Sequence, residues 1–295
     1  MRNAALSFKR PEADLPTLEL LAREFPNADA AIAETARLAA VQTLPKGAIH
    51  VISDIHGEDK KLQHVINNAS GTLRPIVENM FGETMEASEL QEFLKLTFYP
   101  AEVTDRLEVT YQDPQELKAY ARRTLMLQLE LLRYLMSNFS LRLATRVFPA
   151  EYSELLLEML HAPSTERGPE FVDAMIDEFL QRGRVSHLIH LLGRLIRNLA
   201  IDELIIGGDC WDRGQRGDRV VDYLSLQPNV SFIWGNHDLL WLGASLGHEA
   251  MICSVLRISL RYRCLTQLDE GYGVPLTPLE HLARTVYATD PAEFF

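Results

Sequence analysis

The chain has 295 residues, 47% of them apolar, enough to bury a sizeable core in one large domain or two ordinary ones. Its net charge of −12 argues against a nucleic-acid surface, because phosphate backbones demand clustered Lys and Arg. Three widely spaced cysteines exclude a disulfide framework or a zinc knuckle and suit a reducing cytoplasm, and no apolar run is long enough to span a bilayer.

Met1–Asp14 is polar, with no apolar signal segment. Apolar residues at helical spacing predict helices over Thr17–Phe25 and Asp29–Gln42, separated by Pro26 and Asn27. After the Pro45-Lys46-Gly47 turn, β-branched Ile49, Val51 and Ile52 mark a short strand over Ala48–Ser53. It runs directly into Asp54-Ile55-His56-Gly57, and a helix over Lys60–Asn68 follows. Such a unit presents its polar loop at the carboxyl end of a strand, the edge at which open α/β sheets bind ligands.

A long helical stretch intervenes. Asp113 reads as an N-cap with Pro114 at the first helical position and Glu116 placed for a capping box; the helix is expected to run to about Arg146. Its Met and Leu stripe reads as a core or subunit face, which leaves a homo-oligomer open. Glu151–His161, Pro169–Arg182 and Val185–Leu199 are further helices, with a loop expected at Ala162–Pro169. Arg122 and Arg123 read as a solvated helix face. His187 and His190 stand at i, i+3 on an otherwise plain amphipathic helix.

The strand–loop–helix rhythm then returns. Leu204–Ile206 leads into Gly207–Gly214, which packs two carboxylates, one guanidinium and three glycines into eight residues. A helix over Asp218–Leu226 follows, then a strand over Val230–Trp234, the loop Gly235-Asn236-His237-Asp238 and an apolar helix from Leu239. In the tail, Leu279–Tyr287 is the predicted helix.

Alone, Asp-x-His is a weak signal. Gly-Asp-x-x-Asp-Arg-Gly is strong, since five fixed residues occur by chance in a chain this long about once in ten thousand. Mixed carboxylate and imidazole donors suit divalent ions, and Arg offers a planar fork for phosphate oxygens. Cys210, beside Asp209, reads as a buried small hydrophobe, and Trp211 as packing or site wall.

Together the three loops resemble the calcineurin-like metallophosphoesterases. That resemblance implies two divalent metal ions, with Asp54 and His56 on the first, Asp209 bridging and Asn236 on the second. It implies His237 as general acid oriented by Asp238, Asp212 supporting that side of the site, and Arg213 on the phosphate. Two such cations, about 3.5–4 Å apart, activate a water and clamp the oxygens of an in-line displacement. The implied fold is α/β, a β-sandwich flanked by helices.

The flanking stretches Leu20–Gly57, Gln63–Gly71, Tyr99-Pro100 and Trp234–Ala244, with the long helical insertion, narrow the resemblance to the class III fructose-1,6-bisphosphatases of bacteria. This implies a sugar bisphosphate as substrate, manganese as the metal, and gluconeogenesis. It divides the chain into the start of the phosphoesterase domain (1–70), a helical insertion (71–200) and the domain's continuation (201–295). The family supplies two further histidine ligands and a second catalytic half beyond this point. His248 and His281 are the only histidines after His237, and neither has the expected context. The chain therefore reads as an amino-terminal part, with a sandwich incomplete at its C-terminal end and little activity on its own. The bare motifs also allow a protein Ser/Thr phosphatase or a dinucleoside polyphosphate hydrolase, and a non-catalytic remnant is the reading of a different class.

Overall fold

The computed structural model describes residues 15–45, 47–105, 107–162 and 168–291. The polar stretch 1–14, Lys46 of the expected turn and residues 163–167 of the expected loop lie outside them. Helices α1 (Leu15–Glu24) and α2 (Ala28–Val41) precede strand β1 (Ile49–Ile52) and α3 (Asp59–Asn67). A helical run follows: α4 (Leu73–Phe81), α5 (Ala87–Phe98), α6 (Pro100–Thr104), α7 (Leu107–Thr110), α8 (Pro114–Met136), α9 (Leu141–Thr145), α10 (Ser153–His161), α11 (Gly168–Gln181) and α12 (Val185–Leu199). The chain then forms β2 (Glu203–Ile206), α13 (Gly217–Ser225), β3 (Val230–Phe232), α14 (Asn236–Ser245), α15 (Glu249–Arg261) and α16 (Thr277–Val286).

The three strands form one parallel sheet in the order β1-β2-β3. Ile52 pairs with Ile206 and Ile206 with Phe232, so the last residues of all three strands stand abreast. The loops that leave them emerge side by side at one edge. Parallel pairing requires crossovers, and helices supply them here.

Two cores hold this arrangement. The larger is helical: α8 and α12 pack on each other, burying Leu125, Leu129 and Leu132 against the stripe Leu188, Leu192 and Leu195. Spacings of three and four place each set on one helix face. The smaller core lies under the sheet, where Leu204 and Ile206 meet Leu62 and Ile66 of α3 and Val220 and Leu224 of α13.

The described residues show no β-sandwich. A single three-stranded sheet is present, packed on one face by α3 and α13. On its other face Ile49 and Val51 are exposed by 58% and 68%. A sandwich needs a second sheet, and the stretch after β3 folds instead into α14, α15 and α16.

Two boundaries differ in instructive ways. The Asp113 side chain caps α8 by accepting from Gln115 N at 2.9 Å, as expected. The helix stops at Met136 rather than near Arg146, because Ser137 turns its hydroxyl onto Tyr134 O (2.6 Å) and Ser140 caps the separate helix α9. In α14 the helix begins at Asn236, not Leu239, because Asp238 folds back to accept from Gly235 N at 2.8 Å. Asn236, His237 and Asp238 therefore form the first helical turn. The apolar stretch expected as a helix from Leu239 is divided at Leu246–His248 into α14 and α15.

Candidate active site

The three strand-end loops are laced together by their backbones. Beyond the strands, Gly207 N donates to Ile52 O and Ile233 N to Ile206 O, both at 2.7 Å. His56 N then donates to Asp209 O and Gly57 N to Cys210 O, both at 2.8 Å. The first loop thus runs along the second as a continuation of the sheet. Glycine makes the approach feasible: a Cβ at Gly214 would lie 1.9 Å from His56 O, and one at Gly208 2.2 Å from Gly235 N.

Asp238 ties in the third loop. Its carboxylate accepts from Asp209 N (2.7 Å), Cys210 N (2.8 Å) and Gly235 N (2.8 Å). In return Asp209 Oδ1 accepts from His237 N at 3.1 Å. The Asp238 carboxylate thus holds backbone N–H groups, and the carboxylate facing the His237 ring is that of Asp212.

Asp212 is the centre of the cluster. Its side chain is 2% exposed, and Oδ2 lies 3.4 Å from His237 Nε2, 3.7 Å from His56 Nδ1 and 3.0 Å from Arg213 Nε. The two imidazoles meet edge to face with centroids 6.2 Å apart. Asp212 Oδ1 is buried with no hydrogen-bond partner, a costly state for a carboxylate oxygen unless a cation or donor joins it. Arg213 bonds Asp212 through Nε alone and is otherwise largely exposed, with its guanidinium 6.0 Å from the centre of the Tyr262 ring.

Backbone strain is concentrated here. Asp54, His56, Asp209 and Asp212 all have positive φ (54°, 49°, 55° and 122°). Non-glycine residues adopt such angles only where the surroundings over-determine them, and they cluster at functional sites.

Not every predicted residue joins the cluster. Asp54 is exposed; its Oδ2 accepts from Ser53 Oγ at 2.8 Å and its Oδ1 lies 3.6 Å from His56 Nε2. Asn236 is exposed at the first position of α14. Among the described residues no three His, Cys, Asp or Glu side chains converge as ligands of one metal ion. The donor types and the orphaned Asp212 oxygen nevertheless suit a divalent cation.

Several supporting residues carried no motif. Cys264 Sγ donates to Asp212 O at 3.0 Å, and Gln267 Oε1 accepts from Gly217 N at 3.1 Å. Arg216 grips the buried Asp218 with two bonds (3.0 and 2.6 Å) and reaches Glu270 at 3.2 Å. Trp211 stacks on Trp241 with centroids 5.6 Å apart and donates to Tyr272 at 2.9 Å, walling an apolar cavity of about 740 Å³ beside the site. Cys210 is buried, and burial, with Asp238 and Asp209 nearby, pushes its thiol up to about 12.

Fold and loops together define an α/β protein that gathers carboxylate, imidazole and guanidinium groups at the carboxyl edge of a parallel sheet. The chain belongs to the Firmicute fructose-1,6-bisphosphatase family, whose model matches residues 16–295. Fructose-1,6-bisphosphatase class 3 of Clostridium novyi is 35% identical over 283 residues, which cover 96% of this chain and 42% of that protein. The protein of the same name from Parabacteroides distasonis is 37% identical, with the same coverage of 96% and 42%. That of Listeria monocytogenes serotype 4b is 34% identical over 96% of this chain and 43% of its own length. The chain thus spans about 42% of the length of these curated relatives. No solved structure matches it significantly. No described helix is long and apolar enough to cross a membrane.

Proposed function

We propose that this chain carries the phosphate-handling edge of a metal-dependent phosphomonoester hydrolase, converting fructose 1,6-bisphosphate and water to fructose 6-phosphate and phosphate in gluconeogenesis. The observation that carries the reading is the meeting of His56, Asp212, Arg213 and His237 from three separate strand-end loops. The similarity to proteins named fructose-1,6-bisphosphatase class 3 supports the choice of sugar bisphosphate.

Asp54, His56, Asp209 and Asn236 are the residues that would hold two divalent ions, manganese by the family resemblance. When bound, such ions supply an activated water and neutralise phosphoryl charge. Asp212 holds Arg213 by one nitrogen, which leaves the guanidinium's outer N–H groups free for phosphate oxygens. His237 sits at the start of α14 with one ring nitrogen 3.4 Å from Asp212, a carboxylate placed to orient the ring as the general acid toward a leaving oxygen. Asp238 acts as a positioning residue, locking Asp209 and the α14 start together.

The test is manganese titration by calorimetry followed by phosphate release from fructose 1,6-bisphosphate, with a phosphopeptide as competitor substrate. Saturable metal binding that Asp209→Asn abolishes, with phosphate release from the sugar bisphosphate, slow for this chain alone, that His237→Ala abolishes, supports the reading. Preference for the phosphopeptide would favour a protein phosphatase. Neither metal binding nor release would leave a non-catalytic partner-binding chain.

A further inference from the structure

A second polar cavity, of about 680 Å³, lies between the sheet layer and the helical core. It touches the last turns of α3 and α13, the α5–α6 junction and one face of α12. Both α3 and α13 start at the loop edge of the sheet and carry the chain back, so this cavity sits at their far ends from the cluster around Asp212.

Its charge runs against the rest of the molecule. The protein carries a net charge of −12, yet α12 lines this cavity with His187, His190, Arg194 and Arg197, and Glu102 is the one carboxylate in the lining. Arg197 is half-buried and donates through Nη1 to two carbonyl oxygens, Thr97 O (2.9 Å) and Phe98 O (3.1 Å). Among the described residues no carboxylate pairs with Arg194 or Arg197 within ion-pair distance. Buried charges are normally paired, and here two carbonyl oxygens hold the Arg197 guanidinium instead.

Neighbouring groups agree. Burial, with the like charge of Arg194 and against the opposing influence of Tyr223 and Tyr99, holds the Arg197 guanidinium below its usual range. Burial, with Arg184, His190 and Arg194 nearby, lowers His187 as well. Two guanidiniums, Arg194 and Arg197, thus line one concave space. The volume exceeds what a bare ion needs and falls within the range of small-molecule sites. Phe98 and Tyr223 give it apolar surface for an organic part.

We propose that this cavity binds a small phosphate-bearing molecule, with Arg194 and Arg197 on the phosphate and the imidazole edges of His187 and His190 lining the wall beside them. Guanidinium forks match phosphate oxygens in geometry as well as charge. The occupant would bridge α12 and the α3–α13 layer, joining the two cores. This site is separate from the sheet edge and does not depend on the phosphatase reading.

The test is calorimetric titration of the whole chain, with metals removed by a chelator, using inorganic phosphate and glycerol phosphate in buffer of matched ionic strength. Arg194 is exposed, so Arg194→Glu carries the test without disturbing the Arg197 bonds to α5, and circular dichroism verifies its fold. Expected is saturable binding that Arg194→Glu weakens by about tenfold or more, while Arg213→Ala at the sheet edge leaves it unchanged. Tighter binding of glycerol phosphate assigns the occupant as an organic phosphate; equal binding assigns free phosphate. Absence of saturable binding, or binding lost in Arg213→Ala and retained in Arg194→Glu, would overturn the proposal.

Discussion

Asp212 and His237, on different loops, face each other with 3.4 Å between Oδ2 and Nε2, and the same buried carboxylate oxygen serves His56 and Arg213. One acid therefore orients three cationic or proton-carrying groups. Asp212→Asn keeps the shape and removes the charge. Metal affinity is expected to fall by about 10–100-fold, as when other partners of ligands are lost. Manganese titration of the two proteins measures it, and equal affinities would refute the role.

The glycine contacts between loops predict a graded pair of variants. Gly208 has φ +91°, and an added Cβ would lie 2.2 Å from Gly235 N. Gly71 has a similar φ of +88° with nothing within 4 Å. Gly71→Ala should cost about 1–2 kcal/mol of backbone strain. Gly208→Ala should cost more than about 4 kcal/mol, because backbone must move as well. Urea unfolding of both variants separates strain from collision, and similar midpoints would show that the loops yield freely.

Asp238 is predicted to matter for folding as well as for catalysis. Asp238→Ala strands the N–H groups of Asp209, Cys210 and Gly235. Each buried, unsatisfied donor costs about 1–3 kcal/mol, so stability should drop by at least about 3 kcal/mol. Thermal unfolding in the absence of metal reads this directly; an unchanged midpoint would mean water replaces the carboxylate.

Cysteine reactivity should be confined to one position. Cys253 is exposed, while Cys210 and Cys264 are buried. Burial raises both buried thiols, Cys210 to about 12, so at pH 8 both stay protonated and inert. Iodoacetamide treatment of the native protein at that pH should label Cys253 alone by mass spectrometry. Rapid labelling of Cys210 would mean that the Asp209 loop opens.

Much of this architecture could be read before any coordinates. Ile49–Ile52, Glu203–Ile206 and Val230–Phe232 announce themselves by short runs rich in apolar residues that lead into polar loops, and the structure pairs them in parallel register. Val185–Leu199 matches its predicted bounds because its apolar residues follow one strong helical stripe. Asp113 with Pro114 marks the start of α8 by chemistry that acts within four residues. Where the reading erred, the deciding contact was short-ranged but optional, as when Ser137 ended α8, or distant. The expected sandwich, incomplete at its C-terminal end, shows only one of its sheets among the described residues. The mates of the second loop, Cys264 and Gln267, bear no motif because their partners, Asp212 and Gly217, lie far away in sequence.

By itself, then, the sequence determined which residue types could do the chemistry and that each would follow a strand, because spacing and local propensity act over a few residues. Only the tertiary structure decided which groups meet. It turned Asp238 onto three backbone amides and set Asp212 between two histidines and an arginine. It also left Arg194 and Arg197 lining a cavity with no carboxylate among the described residues paired to either. Those outcomes depend on strand register, glycine-permitted loop contacts and helix packing, which bring together residues the chain keeps far apart.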